Sequence, residues 1–117
     1  MSPTIVLKEG RPLIALGAAG GPTIISQVVL ELVDLLDLGM TPEGALSQAR
    51  IHQQWLPNEL MVEKELPGAL RAGLAKRGHK LKRISSIGVS QIVARSPNGG
   101  SFVGAADPRA QGNAAGW

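Results

Sequence analysis

The sequence predicts an α+β fold with mainly antiparallel sheets. Short β-rich runs stand toward both ends of the chain and helical periodicity lies between them, in place of a regular strand-helix alternation. The first and last pairs of β-rich runs are each joined by a short Gly- and Pro-containing segment, the chemistry of a hairpin. With 117 residues, no internal repeat and no evident linker, residues 1–117 are expected to form one domain. A single small layer of helices would leave one sheet face uncovered, so that domain reads as incomplete.

Thr4 to Leu7 and Leu13 to Leu16 make the first strand pair, split by Lys8-Glu9-Gly10-Arg11-Pro12. The chain then passes through Gly17-Ala18-Ala19-Gly20-Gly21 into Pro22, after which Ile25, Val28, Val29, Leu32, Val33 and Leu36 recur at helical spacing. Pro22 suits a first helical position, where an N–H would have no intrahelical acceptor, and Gly39 suits the left-handed position past the end. Ile24, Leu30 and Leu35 widen the apolar surface and leave only a polar strip of Gln27, Glu31 and Asp34, so this helix is expected to be buried around most of its circumference. Thr41-Pro42-Glu43 opens a second helix, with Thr41 as cap and Glu43 near the positive end of the dipole, which is expected to end near Arg50.

Ile51 to Val62 is broken by Pro57 into two extended pieces. Pro67 to Arg77 carries Leu70 and Leu74 at helical spacing and stops at Gly78, and Leu81 with Ile84 suggests a short edge strand. Val89 to Ala94 and Ser101 to Ala105 are strands joined by Ser96-Pro97-Asn98-Gly99-Gly100, where Asn-Gly is expected to supply positive φ. The Gly- and Ala-rich tail from Asp107 to Trp117 is expected on the surface.

Composition excludes several function classes. A chain that is 44% hydrophobic and 18% charged is not a disordered tail. The absence of cysteine removes a disulfide scaffold, thiolate zinc sites and thiol catalysis. The longest nearly apolar run, Val28 to Leu38, holds Glu31, Asp34 and Asp37 and falls short of the roughly 20 apolar residues of a membrane span. Pro3, Glu9 and Arg11 interrupt the amino end, so an export signal, if there is one, is expected outside this chain.

Gly20-Gly21-Pro22-Thr23 is the most suggestive local motif. Two residues without side chains at a helix start let a ligand approach backbone N–H groups that have no intrahelical acceptor, and such donors can stabilise a developing oxyanion. The same four residues also serve as a plain strand-to-helix connection. They lack the Gly-x-x-x-x-Gly-Lys-Ser/Thr pattern, which argues against nucleotide binding. Ser85, Ser86 and Ser90 sit in no Gly-x-Ser-x-Gly elbow, and His52 and His79 have neither triad spacing nor further metal ligands. His52 with Gln53, Gln54 and Trp55 reads as a packing cluster. From Leu66 to Ala106 there are seven Lys/Arg and no acid, six of them from Arg71 to Arg83. That run has no aromatic for base stacking, so a solvated basic face is expected and a nucleic-acid partner is not.

Four blocks in order carry a resemblance: Met1-Ser2-Pro3-Thr4-Ile5-Val6, Gly17-Ala18-Ala19-Gly20-Gly21-Pro22-Thr23-Ile24-Ile25, Arg50-Ile51-His52-Gln53-Gln54-Trp55-Leu56-Pro57, and Gly104-Ala105-Ala106-Asp107-Pro108-Arg109. Together they resemble the carboxyl-terminal part of the small subunit of γ-glutamyltranspeptidases, and Gly112-Asn113-Ala114-Ala115-Gly116-Trp117 is similar to the family's usual end. The resemblance implies part of an N-terminal-nucleophile hydrolase, a four-layer αββα sandwich matured by autocatalytic cleavage into two subunits. It implies attack by an amino-terminal threonine on a γ-glutamyl amide such as glutathione, followed by transfer of the glutamyl group to water or an amine. The matching oxyanion-hole positions are Gly20 and Gly21, through their backbone amides; no metal or cofactor is implied.

The family's nucleophile and its contacts to the substrate's α-amino group lie upstream of the Met1 block, and the serine pair that helps hold the α-carboxylate directly precedes it. Thr4 and Thr23 are internal and supply no amino-terminal amine. The chain is therefore expected to be inactive alone and to need the rest of the small subunit and the large subunit as partners, with a homo-oligomer of the chain as a further form. A bacterial parent would be periplasmic or secreted. Three other readings stand beside this one: an acylase acting on another amide, a non-catalytic interaction module that needs a partner over its open sheet face, and, least favoured, a basic nucleic-acid binder.

Overall fold

The computed structural model of the chain describes residues 2–116; Met1, which opens the first matched block, and Trp117, which closes the end segment from Gly112, lie outside the described residues. In chain order the elements are β1 (Thr4–Lys8), β2 (Arg11–Ala19), a 3-10 turn (Gly21–Thr23), α1 (Ile24–Leu36), α2 (Pro42–Ser47), β3 (Ile51–His52), β4 (Leu60–Glu63), α3 (Gly68–Lys76), β5 (Leu81–Ile84), β6 (Val89–Arg95) and β7 (Phe102–Ala106). They form two compact units: Met1–Gln48 with Gly88–Trp117, and Ala49–Ile87.

The first unit is an antiparallel sheet of order β1-β2-β6-β7 with α1 and α2 on one face. The β1-β2 hairpin closes through Glu9 and Gly10, whose φ values of 52 and 73 are both positive, as a two-residue turn that matches strand twist requires. β2 runs on past the expected Leu16, because Gly17, Ala18 and Ala19 pair with Gln91, Ser90 and Val89 of β6. Small residues looked like a connection, but a long partner strand gives their backbones a ladder. Ile14, Leu16, Ala18, Ile92 and Ala105 on the inner face pack with Val28 of α1 and Ala45 and Leu46 of α2. Leu46 is fully buried, and its truncation to alanine should cost about 2–5 kcal/mol.

Helix α1 departs from expectation. Its polar strip faces inward, with Gln27 and Glu31 only 0% and 1% exposed, while Ile25 and Val29 are 69% and 53% exposed. Gln27 can be buried because hydrogen-bond partners await it at the sheet, and Val33 and Leu36 extend the open apolar face. The helix ends as read, with Gly39 at φ 65, and Thr41 caps α2 by accepting from the Gly44 amide at 3.1 Å. α2 stops at Ser47, short of Arg50, because Gln48 is extended.

On the other sheet face Ile5, Val93 and Phe102 are exposed, in keeping with an uncovered sheet. Part of the Gly- and Ala-rich tail runs beside β7 here: a Cβ on Gly104 would meet Ala114 Cβ at 3.1 Å, and one on Gly112 would meet Ala106 Cβ at 3.8 Å. In the β6-β7 turn Gly99 takes the positive φ, 74, and Ser96 bonds across to Ser101 through a 2.9 Å N–H to carbonyl contact.

The second unit has a sheet of order β3-β4-β5 over a core of Leu60, Val62 and Leu66. β3 and β4 are antiparallel, whereas β4 and β5 pair in parallel, Leu60 opposite Leu81 through Glu63 opposite Ile84. α3 is the crossover that parallel strands require. Among the described residues this β-α-β unit is a local exception to antiparallel pairing.

Candidate functional site

The Gly20-Gly21 turn is formed where β2 ends and the head of α1 begins. Gly20 has φ 147 and ψ 21, and Gly21 has φ 60, so both lie where a side chain is strained. Their surroundings differ. A Cβ on Gly20 would stand 2.6 Å from Thr23 Oγ1 and 3.0 Å from Gly88 Cα, whereas one on Gly21 would meet nothing within 4 Å. The open side of Gly21 leaves room for a ligand to approach the backbone.

The carbonyls of this turn are held from behind. Thr23 Oγ1 donates to the Gly20 carbonyl at 2.9 Å, and the Thr23 amide reaches the same oxygen at 3.3 Å. Gln27 Nε2 donates to the Ala19 carbonyl at 3.2 Å and to Thr23 Oγ1 at 3.1 Å. Gln27 Oε1 accepts from Ser90 Oγ at 3.1 Å, and the Ser90 amide donates to Asp107 Oδ2 at 2.8 Å. Asp107 Oδ1 takes the Arg109 amide at 2.9 Å and its guanidinium at 3.2 Å, and that guanidinium also donates to the carbonyls of Leu46 and Gln48 at 2.6 and 2.7 Å. A continuous polar chain thus runs from the turn to the end of α2. Gln27, Ser90 and Asp107 are buried, where an unmade hydrogen bond is costly.

The remaining candidates lie apart from this turn in the sequence, and of them only Ser90 is joined to it, through Gln27. Ser90 is buried and fully engaged, with no exposed hydroxyl to act as a nucleophile. Ser85 and Ser86 are exposed after β5, and Thr4 lies in β1 with its hydroxyl on the Ser2 carbonyl at 3.2 Å. His52 is buried, its Nε2 3.0 Å from Gln54 Oε1. Trp55 does not join a packing cluster: it is 79% exposed, at φ 76, with its amide on Gln53 Oε1 at 2.8 Å. Of the basic run, Lys80 and Lys82 bridge Glu59 at 2.8 and 3.6 Å, which fits a solvated face. Among the described residues no group of three or more His, Asp and Glu is placed to hold a metal, and no helix is long and apolar enough to cross a membrane.

Sequence reasoning missed Gln27, Gly88 and Ser90 as parts of this region. Gln27 was visible only as one residue of a polar strip. Asp107 and Arg109 stood in a matched block, which marked the place without giving the role.

This sheet-and-helix arrangement is the α+β fold of the N-terminal-nucleophile hydrolases, as superposition on solved structures shows. The chain superposes on a Helicobacter pylori γ-glutamyltranspeptidase mutant with a TM-score of 0.87 at 34% identity, covering 94% of this chain and 61% of that one. It superposes on a cephalosporin acylase from Bacillus halodurans with a TM-score of 0.90 at 27% identity, covering 98% of this chain and 22% of that one. In sequence it is 39% identical over 110 residues to the glutathione hydrolase proenzyme of Escherichia coli (strain K12), covering 93% of this chain and 19% of that protein. The chain thus spans about a fifth of the length of that relative. The model of the γ-glutamyltranspeptidase family matches residues 1–117, and the chain belongs to that family.

Proposed function

We propose that the chain is the carboxyl-terminal part of a γ-glutamyltransferase small subunit and that it supplies the oxyanion hole for cleavage of γ-glutamyl amides such as glutathione. The observation that carries this is the Gly20-Gly21 turn: two amides at a helix head, carbonyls pinned from behind and open space in front of Gly21. In the complete enzyme a threonine from an upstream segment attacks the γ-glutamyl carbonyl, and negative charge develops on the carbonyl oxygen. The Gly20 and Gly21 amides receive that charge, a contact stronger in the transition state than in the ground state. Collapse expels the amine and leaves an acyl-enzyme, which water or an acceptor amine resolves. The open apolar faces of α1 and of the sheet support a place inside a larger assembly with the rest of the small subunit and the large subunit.

The test is Gly21→Ala in a complete γ-glutamyltranspeptidase carrying this segment. Because the space beyond Gly21 is open, the variant should fold and mature at a cost of about 1–2 kcal/mol for the left-handed backbone. The tilted donor should lower kcat on the order of 10²–10³, with a smaller change in KM. A mature variant with unchanged kcat overturns the assignment. Gly20→Ala is less informative, since its Cβ would strike Thr23 and the Gly88 backbone and impair folding first. A second reading, an acylase acting on another amide, is favoured by the likeness to the cephalosporin acylase, and the same two donors would serve it.

A further inference from the structure

We infer that Thr23 and Gln27 are positioning residues that aim the two amides of the Gly20-Gly21 turn, with Ser90 and Asp107 holding Gln27 in place. This inference rests on the oxyanion-hole reading. In a trans peptide the C=O and the N–H of the next residue are coplanar and point in opposite directions, so fixing the carbonyl fixes the amide. The Ala19 carbonyl shares a peptide plane with the Gly20 amide, and it accepts from Gln27 Nε2 at 3.2 Å. The Gly20 carbonyl shares a plane with the Gly21 amide, and it accepts from Thr23 Oγ1 at 2.9 Å. Each candidate donor therefore has its own side-chain anchor on the far side of its peptide. Glycine needs such anchors more than any other residue, since its backbone has the widest conformational freedom.

The anchors are themselves coupled. Gln27 Nε2 also donates to Thr23 Oγ1 at 3.1 Å, which leaves the hydroxyl proton to point at Gly20. Gln27 Oε1 accepts from Ser90 Oγ at 3.1 Å, so the amide end of Gln27 cannot flip without placing its NH2 against the serine and its oxygen against the Ala19 carbonyl. Ser90 is in turn fixed by its amide on Asp107 Oδ2 at 2.8 Å. Gly88 completes the cradle: a Cβ there would stand 2.1 Å from Gln27 Nε2 and 2.4 Å from the Ala19 oxygen, so only glycine leaves room for the Gln27 contact. Gln27 is buried for this reason, presented to the turn beside the Val28, Leu32 and Leu35 that α1 packs into the core.

Thr23→Val and Gln27→Met keep side-chain volume and delete the donors. In a complete enzyme carrying this segment each should mature and lower kcat by about 10- to 100-fold with KM changed less than about threefold, because a small misalignment is felt mainly in the transition state. Thr23→Ser, which restores the hydroxyl, should recover most of kcat. In the Gly21→Ala background the Thr23→Val loss should shrink, since both changes disturb one amide. Mature Thr23→Val and Gln27→Met enzymes that keep kcat while Gly21→Ala loses it would overturn the positioning role and leave the oxyanion reading standing. Gly21→Ala keeping kcat would overturn both. Should Gln27→Met fail to mature, the Val/Ser pair at Thr23 decides: loss with Val and no recovery with Ser counts against the role.

Discussion

The guanidinium of Arg50 donates to the carbonyl oxygen of Ile87 at 3.0 Å, joining the two ends of the unit that spans residues 49–87. One carboxylate completes the clasp. Glu63 Oε2 accepts from the Arg50 amide at 2.9 Å and Oε1 from the Ile87 amide at 2.6 Å. Glu63→Gln turns one acceptor into a donor facing a buried N–H, and should lower stability by about 1–3 kcal/mol. Urea unfolding of the chain measures it, and an unchanged midpoint would show that the clasp contributes nothing.

Gly88 should be at least as hard to replace as Gly20. Its φ of 60 and the 2.1 Å approach of Gln27 Nε2 to a Cβ combine strain with a clash against backbone at Ala19. Gly88→Ala should cost more than the 1–2 kcal/mol typical of a left-handed alanine. Gly99→Ala is the control, with φ 74 and open space, and should cost about that range alone. Equal losses in thermal melts would deny the crowding around Gln27.

Two carboxyls should respond to pH with opposite sign. The hydrogen bond and charge of Lys80, with a smaller contribution from Lys82, hold the Glu59 carboxyl below its ordinary value. The unfolded chain then binds that proton more readily, so the pair's contribution is present above the ordinary value and is lost as pH falls through the lowered one. Burial instead pushes the Asp34 carboxyl up, so its charged form weighs against folding at neutral pH. Asp34→Asn should raise Tm at pH 7 and leave it nearly unchanged at pH 3; Lys80→Met should return Glu59 toward its ordinary value in an NMR titration. A lower neutral Tm for Asp34→Asn, or an unmoved Glu59, would contradict these assignments.

The chain alone should release no chromophore from a γ-glutamyl anilide and should self-associate through its open apolar faces. Ile25 and Val29 on α1 are the most direct handles. Ile25→Lys with Val29→Glu should reduce dye binding and shift light scattering toward monomer. Turnover above the buffer rate, or a parent chain that is a clean monomer, would count against this chain's place in a larger enzyme.

Local chemistry made much of the fold legible. Gly10, Gly39, Thr41 and Gly78 each act on their own neighbours and stand where they were read, although the turn at Gly10 is tighter than the segment Lys8 to Pro12, since Arg11 and Pro12 already pair in β2. The parallel pairing of β4 with β5 left no such trace, because it depends on α3 returning the chain to the same edge. The burial of α1 departs from expectation for a physical reason: periodicity reports an amphipathic stripe but not what lies against it. Of the candidate site, Gly20 and Gly21 could be picked out from their lack of side chains at a helix start. Gln27 and Ser90 could not, since 63 residues separate them and no spacing rule spans that distance.

That separation gives the turn a place in time. Gln27 leaves the ribosome several seconds before Ser90 at a synthesis rate of about 5–20 residues per second, and Asp107 follows later still. Until then the Ala19 carbonyl should have no fully anchored glutamine behind it, and Gly20-Gly21 should behave as a flexible dipeptide. A nascent chain stopped before Asp107 should be cut at this turn in limited proteolysis while the same turn in the 117-residue chain resists; equal resistance would refute the ordering. Strands β6 and β7 would thus act as a latch, and the backbone proposed to meet charge would be set only when nearly all of this sequence has been translated.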